Sequence, residues 1–168
     1  MRLSECHNFT FRLFVQIALC SLLVFIVSCG GSKDQHLARG EEYLQKRKFH
    51  EALMEFRTAA DIDRDSAAAH WGLARAYENL GQFSETVEAL RKTNELAPDN
   101  LAAKVKLGNY YLLVQPPMVG ETEKILEEVF AKDPNFIEGR ILKASVLAVQ
   151  MKPETEVLKV LDDAIALD

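Results

Sequence analysis

Four small residues recur at nearly equal intervals along this chain. Gly40, Ala74, Gly108 and Ala144 stand 34, 34 and 36 residues apart. Three positions after each comes Tyr43, Tyr77, Tyr111 or Leu147. A fixed period of this length marks a stacked array of like units. A unit so short cannot bury its own apolar face and must use its neighbour's. The period divides the chain into units 33–66, 67–100, 101–136 and 137–168. Each unit reads as a pair of helices joined by a turn, which predicts eight helices and no sheet.

The second unit is the most regular. His70 and Trp71 open it, Leu73-Ala74 and Tyr77 line the packing face of its first helix, and Leu80-Gly81-Gln82-Phe83 makes the turn. Leu96-Ala97-Pro98-Asp99-Asn100 ends the unit. Ala74 lets two helices approach closely, Gly81 suits a left-handed residue after a helix end, and Ser84 reads as an N-cap. The other units depart from this pattern mainly in their turns. Arg47-Lys48-Phe49 lacks glycine, Gln115-Pro116-Pro117-Met118 is two residues longer, and one residue is added near Lys152-Pro153. The pattern resembles the tetratricopeptide repeat. The resemblance implies an all-α, right-handed superhelical solenoid of four helix–turn–helix units.

Residues before the array are a different object. Arg2 and Arg12 precede Leu13 to Val27, fifteen residues without a charge. About 20 apolar residues are needed to cross a bilayer as a helix, so the run is short. A basic start and an apolar stretch of this length read as a secretory signal, or as an uncleaved N-terminal anchor. Ile26-Val27-Ser28-Cys29 resembles a bacterial lipobox. That resemblance implies a signal peptide over 1–28, lipidation of Cys29 (a diacylglyceryl group, with palmitate-type chains), and a tether over 29–32. It places the protein in the bacterial cell envelope, lipid-anchored at the outer membrane and facing the periplasm.

Charge and chemistry narrow the function classes. The whole chain carries a net −5; without residues 1–28 it keeps 18 basic and 24 acidic side chains, a net −6. That disfavours nucleic acid, whose phosphates demand neutralising cations. Cys6 and Cys20 leave with the signal and Cys29 is blocked, so no thiol remains for catalysis or metal binding. His36 and His70 are 34 residues apart, the same repeat position, which suits helix packing better than metal ligation. No phosphate loop, dinucleotide loop or nucleophile elbow is present. The expectation is a protein that is not an enzyme and needs no cofactor.

A solenoid offers an extended concave surface. In the family the first helix of each pair lines it. Carried over by repeat position, the groove residues are Leu37, Glu41, Trp71, Arg75, Asn79, Val105, Asn109 and Leu112. The implied partner is an envelope protein or a peptide segment of one. The resemblance extends to repeat lipoproteins that help assemble secretion, pilus or exopolysaccharide-export systems. Two alternatives stay open: the repeats form the front of a longer enzyme or export protein, or the chain is a structural lipoprotein that self-associates through its fourth unit. The array stops at Asp168, one step before the expected proline, which reads as an incomplete last unit.

Overall fold

A computed structural model of the chain describes residues 31–167. The expected signal peptide and Cys29 lie outside the described residues. Eight helices follow in order: α1 (Lys33–Gln45), α2 (Phe49–Ile62), α3 (Ala67–Asn79), α4 (Phe83–Leu96), α5 (Leu101–Leu113), α6 (Val119–Lys132), α7 (Ile137–Val149) and α8 (Glu154–Ile165). No strand occurs among the described residues. Each helix packs on the next, α1 also touches α3, and α5 touches α7. This is the all-α solenoid that the period predicts.

The first helices of three units start on side-chain caps. Ser32 Oγ accepts from the Gln35 N–H at 3.2 Å, while Gln35 Oε1 accepts from the Ser32 N–H at 3.0 Å. This reciprocal pair satisfies two amides that a helix start leaves open. Ser66 and Asn100 cap α3 and α5 without the return bond, their side chains accepting from the Ala69 and Ala103 N–H groups. Two expectations change here. Ser32 is not part of a tether but the cap of α1. Ser84 lies inside α4; the N-cap is Gln82, with no side-chain cap bond. Second helices follow a tight turn whose backbone sets their entry, so they do not depend on such a cap.

The turns show one rule carried out three ways. Gly81 has φ 70°, and the equivalent Arg47 and Met151 have φ 57° and 56°. In each case the next amide returns to the carbonyl five residues back: Lys48 to Tyr43 at 2.8 Å, Gln82 to Tyr77 at 3.0 Å, Lys152 to Leu147 at 3.0 Å. This is a helix stop with a left-handed residue, for which glycine is favoured but not required. In the third unit the turn is longer, and the Met118 N–H donates to the Tyr111 carbonyl at 2.9 Å. Two extra residues are looped out and the same carbonyl is still satisfied.

Packing rests on one ring and two glycines. Phe56 of α2 is fully buried. A Cβ at Gly40 of α1 would come within 2.6 Å of that ring, and one at Gly72 of α3 within 2.3 Å. Both helix backbones therefore lie against the ring faces. Around Phe56 a first core gathers Leu53, Leu73, Leu90 and Leu107; a second holds Val105, Leu126, Val129, Leu142 and Val146. Ile125 packs against both and joins them. Where α3 buries Ala69, Leu73 and Ala76, α1 carries exposed Gln35, Arg39 and Glu42. That side of α1 is a polar cover.

Gly72→Ala is expected to lower stability by about 1–3 kcal/mol through overpacking against Phe56. Phe56→Leu should restore part of the loss in the Gly72→Ala background, although alone it destabilises. Urea unfolding of the two single variants and the double variant measures the coupling; strictly additive effects would refute the ring-on-backbone contact.

Candidate functional site

Side chains from α1, α3 and α5 meet on the face built by the first helices. Glu41 and Arg75 occupy the same repeat position, so stacking α1 on α3 sets them side by side. Arg75 Nη1 donates to both Glu41 carboxylate oxygens at 2.6 and 2.9 Å. The Arg75 guanidinium carbon lies 6.0 Å from the centre of the Trp71 ring, four residues earlier on α3. Asn79 Nδ2 donates to the Arg75 carbonyl at 2.8 Å. On the other side of α3, Lys106 of α5 donates to both Glu78 oxygens at 2.7 and 2.8 Å.

These groups border a pocket of about 350 Å³ lined by Leu44, Phe49, Trp71, Arg75, Asn79 and Lys106 among others. Its floor is apolar and aromatic. Its rim holds Arg47, Arg75 and Lys106 against Glu78, with Glu41 behind Arg75. Such a site seats a side chain and offers charged groups at its edge; it does not assemble a catalytic pair. Tyr110, also on α5, has its phenol pushed above the ordinary range, chiefly by burial and then by the Glu78 carboxylate. It stays neutral at physiological pH.

The structure brings some of the expected groove residues together and separates others. Trp71, Arg75 and Asn79 line the pocket, and Glu41 orients Arg75. Val105 and Leu112 do not line the pocket. At 4% and 9% exposure they belong to the second core. Leu37 packs against the first core, and Asn109 is exposed on α5 outside the pocket lining. Repeat position alone misplaces these because the third unit is more apolar on its first helix and turns two of the positions inward. Lys106, Phe49 and Arg47 were missed. Lys106 directly follows the expected Val105 and so points about 100° round the helix from it, and Arg47 and Phe49 reach the pocket from the left-handed turn.

His36 and His70 have structural partners. His36 Nδ1 is 2.5 Å from Glu55 Oε2, and His70 Nε2 is 2.9 Å from the Arg64 carbonyl. No group of three His, Cys, Asp or Glu side chains suited to a metal occurs among the described residues. Nor is any helix among them long and apolar enough to cross a membrane.

A second set of contacts marks the opposite side. Arg57 of α2 donates to the Tyr77 hydroxyl at 2.9 Å, and Arg91 of α4 to the Tyr111 hydroxyl at 3.0 Å. Each guanidinium also lies over its ring, at 5.7 and 5.4 Å. Between the third and fourth units both partners change together, to Glu127 and Leu147.

Comparison with known proteins agrees with this geometry. The tetratricopeptide-repeat family profile matches residues 43–107, from the first Tyr to the third unit's Leu107. Over these residues the chain matches the tetratricopeptide-repeat pattern. It is 28% identical to DnaJ homolog subfamily C member 3 of Homo sapiens over 121 residues, which is 71% of this chain and 24% of that protein. The chain thus spans about a quarter of the length of the curated relatives it matches. Among solved structures it is similar to the tetratricopeptide-repeat protein TTC0263 of Thermus thermophilus, with TM-score 0.68, 18% identity, and coverage of 82% and 75% of the two chains. It is also similar to the first tetratricopeptide-repeat domain of Spaghetti (RPAP3) bound to the HSP90 peptide SRMEEVD, with TM-score 0.62 and 19% identity over 73% of this chain and 93% of that one. The fold is that of a tetratricopeptide-repeat array.

The Glu41–Arg75 pair is half exposed, so it contributes little to stability. Glu41→Gln should change the unfolding free energy by less than about 1 kcal/mol. Thermal melting followed by circular dichroism checks this, and a larger loss would make the pair a structural element instead of a groove fixture.

Proposed function

We propose that the first-helix face docks a segment of another protein, through a side chain seated beside Trp71 and polar contacts from Arg75, Asn79 and Lys106. The observation that carries this reading is the apolar pocket with a charged rim at the junction of α1, α3 and α5. Buried aromatics and arginines are the usual anchors of binding energy. The rim pairs hold the cations in place before a ligand arrives, which lowers the entropy lost on binding.

The setting proposed for this module is the bacterial envelope, with Cys29 lipidated and the array held at the membrane surface, where it serves assembly of a secretion, pilus or export system. Support comes from the sequence: two arginines, fifteen uncharged residues, then Ile26-Val27-Ser28-Cys29. One acyl chain gives only marginal membrane binding, whereas the two or three chains of a lipoprotein hold firmly.

Two experiments test the two parts separately. Trp71→Ala combined with Asn79→Ala should reduce crosslinked capture of the partner from the host envelope at least tenfold, with helicity unchanged. Undiminished capture would move the site off this face. Cys29→Ser should abolish metabolic labelling by a fatty acid and release the protein from the membrane fraction. Retention with unchanged labelling would refute the anchor.

A further inference from the structure

A second groove lies on the other side of the array, between α2 and α4 and floored by α3. It encloses about 800 Å³, more than twice the pocket at Trp71. Its origin is visible in the repeat. Ala60 of α2 and Ala89 of α4 line it. Between α4 and α6 the same two positions hold Asn94 and Ile125, and between α6 and α8 they hold Phe130 and Val160. The groove beside Phe130 and Val160 measures only about 240 Å³. Two alanines thus open, in the first half of the array, a slot that larger side chains narrow further on. Leu73 and Tyr77 complete its floor.

Charge says what fits. Asp61, Asp65, Glu85 and Glu88 border the slot and form no ion pair among the described residues. Of the three cations at its rim one is ion-paired, and the carboxylates outnumber the other two. Lys92 pairs with Glu95 at 3.1 Å, and Arg91 is held on Tyr111. Arg64 remains beside the four free carboxylates. A slot between two helices, apolar below and acidic at its edges, complements a helix with an apolar stripe flanked by basic residues.

We infer that the α2–α4 groove is a second docking site, and that its occupant is a basic amphipathic helix of a partner protein. Its aliphatic side chains enter the slot over Ala60 and Ala89, and its lysines or arginines meet Asp61, Asp65, Glu85 and Glu88. The site is independent of the Trp71 face. One chain can then hold two segments at once, which multiplies affinity when both belong to one partner.

The probe is a fluorescein-labelled synthetic helix with a leucine stripe flanked by lysines, titrated into the full-length protein in detergent. A matched helix carrying glutamates is the control. Ala60→Phe with Ala89→Ile fills the slot using residues the chain itself places at these positions further on, Phe130 in α6 and Ile125 in α6, and leaves every charge intact. Binding should fall at least tenfold in this variant, and at least tenfold in Glu85→Gln with Glu88→Gln. Trp71→Ala should leave it unchanged. Undiminished binding to the filled variant means unspecific charge attraction and overturns the inference, as does equal binding of the glutamate helix. A benzophenone on the probe supplies a measurement free of any folding defect: crosslinks should fall on α2 and α4, and crosslinks confined to α1, α3 and α5 refute the site. Self-association of the protein that the filled variant abolishes would make the occupant a second copy, and overturn the assignment to a partner helix.

Discussion

Close approach of backbone to ring at Phe56 is the contact on which the array depends. Gly40 and Gly72 lie within contact of the same side chain from two helices, so the ring fixes α1 and α3 relative to α2 in one step. Interiors are packed densely enough that such a contact sets distances within a fraction of an ångström. Those distances place Glu41 beside Arg75 and hold Trp71 at the mouth of the pocket. The charged rim is therefore a product of the core beneath it. Later units keep the principle with different atoms: a Cβ on Gly108 would come within 2.6 Å of Leu142.

Much of the fold is legible in the sequence because the repeat reports on packing. A small residue at a fixed position recurs in every unit, an aromatic three residues on in the first three, and a left-handed stop seven residues on in the first, second and fourth, all answering to steric needs of the stack. The turns were less legible. Arg47 and Met151 take the left-handed conformation without glycine, since the amide returned to Tyr43 or Leu147 stabilises the stop. The caps of second helices were misread for a related reason: Ser84 has the right chemistry, but the turn enters the helix two residues earlier.

The site was legible where it follows repeat position strictly and illegible where it does not. Trp71, Arg75 and Asn79 are found by position. Val105 and Leu112 occupy expected positions but are drawn inward by the second core, which needs aliphatic volume around Leu142 and Val146. Lys106 contributes through a long side chain from a position that in α3 is Gly72. The difference is physical: at Gly72 a side chain would strike Phe56, whereas Lys106 leads out to Glu78. The large groove between α2 and α4 was hidden for the opposite reason. It is made by two alanines, which a sequence reading takes as ordinary packing residues.

The bond from the Met118 amide to the Tyr111 carbonyl shows how such an array accommodates changes in length. An insertion is usually expected to shift every residue after it. Here the helix end keeps its acceptor filled and the added residues leave as a bulge, so α6 begins in register with α5. The third turn is thereby a joint where the chain can gain or lose residues without re-phasing the stack, and a loop or reporter grafted there would ride outside the packed core.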